Sequence, residues 1–310
     1  MPRLSVLLPV RDGARTVGAA VRSTLRAMPR DSELLVLDDA SADGTASIVD
    51  GIADARIRLV RAETSFGVAR GLNHLLELAD SDYVARMDAD DLVLPGRFAR
   101  QLRALRRHRA ELLFSTVVEF SERPRRVRPP APLTITPEAF GLHLLLTNPV
   151  SHPTLLATRA VLDDLGGYAA VPAEDYELWL RAAAAGRRLA RDAAPVLAYR
   201  MHPSQITAST DWRRSSWRDA ATAAAFAAVA QRELGRPARR LTALAIDPAV
   251  DDAAFDAEVG GFSTDIVRAA TRLDRMRSAW LRRLLAQRVR AARAARRSAR
   301  AEAGRGGTDD

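Results

Sequence analysis

The chain has neither cysteine nor lysine in its 310 residues. Without cysteine there can be no disulfide, no thiolate zinc site and no cysteine nucleophile, and a reducing compartment is compatible. Long hydrophobic runs are missing as well. The longest, Ala220 to Ala230, is broken by Thr222 and falls well short of the roughly 20 residues that span a bilayer, so no transmembrane helix is expected. The N-terminus enters an apolar strand at once, Leu4 to Val10, without the charged region and cleavage site of a signal peptide. The expectation is a cytoplasmic protein.

What remains is a chain long enough for a sizeable core, with 47% hydrophobic residues and a net charge of +9. All 47 basic residues are arginine, and twelve of them lie between Arg268 and Arg300 against one acid, Asp274. That leaves 35 arginines and 37 acids elsewhere, formally −2, so the basic character belongs to one C-terminal segment and the body is nearly neutral.

Strand and helix signals alternate through the first hundred residues, which predicts an α/β fold with a mostly parallel sheet. Strands are expected at Leu4–Val10, Leu34–Leu37, Ile57–Val60, Tyr83–Met87, Leu112–Phe120, Leu155–Leu156 and Val196–Tyr199. Helices are expected at Arg15–Met28, Ala46–Ala53, Val68–Leu78, Arg97–Arg107, Thr136–Leu146 and Glu174–Ala185. Arg123 to Pro137, rich in proline and arginine, reads as an irregular connection. From about Trp212 the chain is helical in character. The organisation predicted is an α/β domain at 1–210, a helical, arginine-rich extension at 211–300 and a disordered tail at 301–310.

The segment Val84 to Asp91 runs an apolar strand into three carboxylates, Asp88, Asp90 and Asp91. Clustered carboxylates repel one another unless a cation or a protonation change offsets the charge, and a hard divalent ion with oxygen ligands does so while keeping positions open for phosphate oxygens. A solvated acidic loop is the plain alternative. The polar turn Asp38 to Thr45 ends the second strand on the same side of a parallel sheet, where ligands of open α/β sheets bind. There Asp39 could accept hydrogen bonds from a base or ribose, or Asp38 and Ser41 could simply cap the next helix.

Four segments, Ser5 to Asp12, Val36 to Thr45, Gly67 to Asn73 and Ala85 to Asp91, resemble in order and spacing the signatures of family 2 glycosyltransferases. The resemblance continues through Asn148 to Thr154, Gly166-Gly167-Tyr168, Glu174 to Arg181 and Tyr199 to His202. It implies a GT-A fold, a nucleotide-diphosphate sugar donor, a divalent metal (Mg2+ or Mn2+) and inversion at the anomeric carbon. By the same resemblance, Asp39 recognises the nucleobase, and Pro9, Val10 and Asp12 line the nucleotide pocket. Asp88 and Asp90 match the Asp-x-Asp pair, the first near the ribose and the second on the metal. Arg70 and Asn73 could meet the donor, although Arg70 reads equally as a surface charge. Asp175 matches the catalytic base, with Glu174 as the alternative and two acids favouring a helix N-terminus as the plain reading. His202 could reach the metal or a phosphate; Asp91 could support the metal or cap a helix. His152 and Trp179 are expected to shape a sugar or acceptor pocket, or in Trp179's case simply to pack.

The C-terminal segment lies outside the resemblance. Apolar residues recur at Leu273, Met276, Trp280, Leu284, Ala291 and Ala295, with Leu281, Leu285 and Val289 beside them, and the rest is basic. This is the pattern of an interfacial helix drawn to anionic lipid, suited to an enzyme acting on a lipid-linked glycan or a nascent envelope polymer. Packing against the body with a solvated arginine face is the alternative, and no nucleic-acid reading motif accompanies the charge. Phosphatases of the haloacid dehalogenase type also carry Asp-x-Asp after a strand, but they need a downstream lysine, which this chain lacks. A non-catalytic nucleotide-sugar-binding or scaffold protein is the remaining alternative, disfavoured because every expected acidic position is filled.

Overall fold

The computed structural model describes residues 3–122, 125–129, 133–202 and 210–305. It contains strands β1 (Leu4–Val10), β2 (Ser32–Asp38), β3 (Ile57–Arg61), β4 (Tyr83–Arg86), β5 (Leu92–Val93), β6 (Leu112–Glu122), β7 (Arg125–Arg128), β8 (Leu156–Thr158) and β9 (Leu189–Arg200). Its helices are α1 (Val17–Ala27), α2 (Thr45–Asp50), α3 (Val68–Leu78), α4 (Arg97–His108), α5 (Pro137–Leu144), α6 (Arg159–Asp164), α7 (Glu174–Ala184), α8 (Thr210–Arg218), α9 (Ala220–Leu234), α10 (Leu241–Ile246), α11 (Asp252–Ala269) and α12 (Arg275–Arg305). The chain divides into two compact units. One comprises Met1–Pro137, Val150–Ala170 and Gly186–Ala208; the other comprises Glu138–Pro149, Val171–Ala185 and Ser209–Asp310.

The first unit is built on one sheet of order β3-β2-β1-β4-β8-β6-β9-β5, with β7 paired to β6. β1 and β2 read as unbroken apolar runs because both of their faces are covered, as parallel strands under helices require. Val6, Leu8, Val10, Leu34 and Val36 pack with Val17, Ala20 and Val21 of α1 and with Phe98 and Leu102 of α4. Each such side chain, fully buried, contributes about 1.5–3 kcal/mol. α1 stops at Met28, whose extended backbone suits the residue before Pro29.

The parallel arrangement expected from the sequence holds across β3, β2, β1 and β4. Beyond β4 the sheet is mixed. β8 runs antiparallel to both β4 and β6, β9 is parallel to β6, and β5 and β7 are antiparallel to their partners. Arg123 to Pro137 is less irregular than its composition suggests, since it contributes β7 and an Ile135–Arg191 bridge. β9 is three times longer than the four residues read from the sequence; the register shifts where Pro195 faces Thr116, as a residue without an N–H requires.

The second unit is helical. α7 packs on α9, where Leu178, Trp179 and Leu180 are buried on one helix and Phe226, Val229 and Ala230 on the other. Asp219 caps α9 by accepting from the Thr222 amide at 2.7 Å, and Gly235 closes it at φ +83°. α12 packs on α10 and α11, and its Leu281, Leu285 and Ala292 are buried. The buried Arg296 bonds Asp252 at 3.0 Å and the Asp247 carbonyl at 2.9 Å, and its guanidinium lies over Phe255. The arginine-rich segment is thus a packed helix that continues to Arg305, through the first half of the predicted tail; residues 306–310 lie outside the described residues.

Candidate functional site

β2 and β3 are added on one side of β1 and β4 on the other, so the chain reverses direction across the sheet at β1 and β4. The carboxyl ends of strands at such a switch point are where open α/β sheets bind ligands. Pairing of β1 with β4 ends at Leu7 and Arg86, with one more bond from the Met87 amide to the Leu7 carbonyl. Pro9 follows on the β4 side, where the ladder has already ended and its missing N–H costs no sheet bond. Val10 is buried and accepts from the Asp39 amide at 2.8 Å.

The loops after β1 and β2 are laced together. The Asp12 amide donates to Ser41 Oγ at 2.9 Å, the Ala42 amide to Asp12 Oδ1 at 2.8 Å, the Gly13 amide to Thr45 Oγ1 at 2.9 Å and the Ala14 amide to Asp43 Oδ2 at 3.0 Å. Asp12 and Ala40 sit at φ +50° and +57°, a conformation that the interloop bonds hold in place. Neither Asp38 nor Ser41 caps α2, whose N-cap is Gly44. Asp39 is buried and accepts three bonds at the start of α3: from Ser65 Oγ at 2.7 Å, the Phe66 amide at 2.5 Å and the Gly67 amide at 3.1 Å.

Ligand atoms of Asp88, Asp90 and Asp91 all lie within 4.8 Å of one another. Three further groups hold them. Arg86 pairs with Asp88. Arg200, at the end of β9, donates its amide to Asp91 Oδ1 at 2.8 Å and its Nε to the Asp90 carbonyl at 2.7 Å. His202 Nε2 lies 3.0 Å from Asp90 Oδ2. Burial pushes the Asp88 carboxyl up, with Arg86 opposing. Burial likewise pushes Asp91 up to about 8, reinforced by Asp88. Asp91 is 1% exposed, and its Oδ2 is buried with no hydrogen-bond partner among the described residues. Clustered oxygen donors, one of them an orphaned buried carboxylate oxygen, fit a hard divalent cation.

Two residues missed by the sequence reading anchor this turn from below. Arg97, fully buried, donates to the Arg86 carbonyl at 2.8 Å and the Pro153 carbonyl at 2.6 Å, and its Nε reaches Gln101 Oε1 at 3.0 Å. Gln101 Nε2 donates to the Thr154 carbonyl at 2.7 Å. Burial pulls Arg97 down to about 9, against the attraction of Asp91 and Asp88. The available signal was an arginine and a glutamine four apart, bonded along one helix face, which from sequence alone reads as solvent-facing.

The Gly166-Gly167-Tyr168 turn docks on α3. The Asn73 amide group donates to the Tyr168 carbonyl and accepts from its N–H, both at 2.8 Å, so Asn73 braces this turn. Tyr168 places its hydroxyl 3.0 Å from Nε2 of the buried His152, whose pKa burial lowers well below the ordinary value. Arg70, on the first turn of α3, is exposed.

Within the second unit, Glu174 and Asp175 open α7 with an acidic first turn. Asp175 Oδ2 accepts from Asn148 Nδ2 at 2.9 Å, and its Oδ1 from the Tyr176 amide at 2.6 Å. Tyr176 donates to the Leu144 carbonyl at 2.5 Å, and burial raises its hydroxyl to about 12. Trp179 is wholly buried and serves as core.

A family model described as "Glycosyl transferase family 2" matches residues 5–164. The chain belongs to that family. The match takes in Asp39, Asp88 and Asp90 and stops short of Asp175 and His202. Among similar proteins, this family 2 chain is 33% identical over 191 residues to EpsE of Bacillus subtilis (strain 168), named as a candidate glycosyltransferase, covering 58% of this chain and 66% of EpsE. It is 27% identical over 178 residues to the Escherichia coli UDP-Glc:alpha-D-GlcNAc-diphosphoundecaprenol beta-1,3-glucosyltransferase WfgD, covering 57% and 68% of the two chains. The matches thus span about two thirds of the length of these relatives. In fold, the family 2 chain matches S. aureus TarS residues 1–349, solved with UDP-GlcNAc, at TM-score 0.61 and 17% identity over 97% of this chain and 92% of that one. The GT-A architecture is therefore shared.

Proposed function

We propose that this chain moves a sugar from a nucleoside diphosphate to an acceptor hydroxyl with inversion at the anomeric carbon. The observation that carries the reading is the acid triad at the β1/β4 switch point, with one buried carboxylate oxygen left without a hydrogen-bond partner among the described residues. Asp88, Asp90 and His202 would hold Mg2+ or Mn2+, with Asp91 beside them. The cation, when bound, neutralises charge developing on the departing diphosphate.

The chain's own residues supply the rest. Asp39 spends three of its roughly four acceptor positions on Ser65, Phe66 and Gly67, leaving one for an N–H of the base. Pro9, Val10 and Asp12 border the nucleoside. Asp175, held by Asn148, takes the proton of the acceptor hydroxyl as its oxygen bonds the anomeric carbon and the bond to phosphate breaks; Glu174 is the alternative base. TarS was solved with UDP-GlcNAc, which supports a uridine diphosphate sugar as donor. The name of WfgD supports a lipid diphosphate-linked glycan as acceptor, and we place the reaction in cell-envelope polysaccharide synthesis at the cytoplasmic face of a membrane.

The test is a thermal-shift screen of UDP-, GDP- and dTDP-sugars with Mg2+ or Mn2+, followed by turnover. Stabilisation by one nucleotide class with metal is expected, with turnover lost in Asp90→Ala and Asp175→Asn. Failure of every nucleotide sugar to bind with Mn2+ present would sink the reading; full activity in Asp175→Asn would remove its role as base.

A further inference from the structure

α12 carries two apolar arcs, and the helices around it use one. Leu281, Leu285, Ala292 and Arg296 are buried, on a helix that packs on α10 and α11. At 3.6 residues per turn, Met276, Trp280, Arg283, Gln287, Arg290 and Arg297 lie on the opposite side, about 180° round the helix. There Met276 is 68% and Trp280 40% exposed, two of five large hydrophobic side chains left in solvent among the described residues. The apolar stripe of the sequence is therefore divided, Leu281 and Leu285 turned inward, Met276 and Trp280 outward.

The arginines divide in the same way. Arg277 pairs with Asp274, Arg293 with Asp256, and Arg296 and Arg300 with Asp252. Arg275, Arg282, Arg283, Arg290 and Arg297 are exposed, with no acidic partner among the described residues. Fold stability gains little from such uncompensated like charges, which leaves this face available to an anionic surface.

We infer that the Met276–Arg297 face of α12 docks on an anionic lipid surface, its arginines on headgroup phosphates and Trp280 and Met276 in the headgroup–acyl boundary. The row is straight and about 32 Å long, which suits a plane better than a wound nucleic-acid groove. A tryptophan beside arginines has the amphipathic character of the membrane interface, and the Met276 thioether gains from acyl chains. A second copy of this face would oppose arginine to arginine. The proposed lipid-linked acceptor gives such docking a use, but the docking is measured without any sugar.

The full chain is floated with vesicles of phosphatidylcholine alone and with about 30% phosphatidylglycerol, in parallel with a duplex DNA titration. Binding only to the anionic vesicles is expected. Arg283→Gln with Arg290→Gln should weaken it roughly 25-fold, since each arginine near an anionic surface accounts for about a fivefold factor. Trp280→Ser should weaken binding at unchanged salt dependence, and bromine-labelled acyl chains should quench the wild-type emission more than that of Trp280→Phe. Circular dichroism and turnover with a water-soluble acceptor should be unchanged in all these variants, which separates this inference from the catalytic reading. Equal flotation with neutral vesicles, no flotation at all, undiminished binding by the double variant, or tighter binding to DNA than to anionic vesicles would overturn it.

Discussion

His202 Nε2 lies 3.0 Å from Asp90 Oδ2, although 112 residues separate them in the chain. The end of β9 thereby closes over the turn after β4, and the imidazole and carboxylate converge on one place. His202→Ala is expected to weaken Mn2+ binding by about 10–100-fold, the range for loss of a group that ligates a metal or orients a ligand. Calorimetric Mn2+ titration measures it; wild-type affinity in the variant would reduce the pair to a surface contact.

Asp91 makes the metal-free protein sensitive to pH. Its folded pKa of about 8 stands above the ordinary value of 3.8, so the fold favours the protonated form. That contribution is fully present below the unfolded pKa and is lost as pH rises through about 8. The Tm of the metal-free protein should fall between pH 5 and 9, with a shallower slope in Asp91→Asn. The Tm gain from Mn2+ should grow over the same interval, because the ion binds the deprotonated carboxylates.

Arg97→Met should leave the Arg86 and Pro153 carbonyls without their buried donor. The expected loss is about 3–5 kcal/mol in urea unfolding, the range for breaking a buried charged network from one side. Gln101→Leu should cost less, about 1–3 kcal/mol.

Gly167 sits at φ +68°, and a Cβ there would come 2.4 Å from Asn73 Oδ1. Gly167→Ala should therefore destabilise by about 1–3 kcal/mol. Combined with Asn73→Ser, which removes the obstructing amide, the double variant should lose less than the sum of the two single changes; strict additivity would show that the turn and α3 are not coupled.

The sequence disclosed the parts of the molecule whose physics is local. β1, β2 and β4 were legible because their apolar runs are short and bounded, and the triad because three acids in four residues need compensation. β7 and the first half of β9 were not, since Arg125–Arg128 and Arg191–Pro195 gain strand character only from their pairing with β6. Arg97 was hidden by its residue type: an arginine on an amphipathic helix is read as solvent-facing, and only the fold brings carbonyls 11 and 56 residues away to its guanidinium. Spacing showed that α12 has apolar positions but not which of them would find neighbours.

The packing of α7 on α9 also sets a schedule. Fifty residues separate the end of α7 at Ala184 from the end of α9 at Leu234. At about 5–20 residues per second of synthesis, that is roughly 3–10 s during which α7 has emerged without the helix that buries Trp179. β1 to β4 and the acid turn are made before any of this. The strands that carry the proposed metal-binding carboxylates are made first, but Arg200 and His202, which hold Asp91 and Asp90, follow α7, and Asp175 waits for a helix that lies beyond the end of the family match.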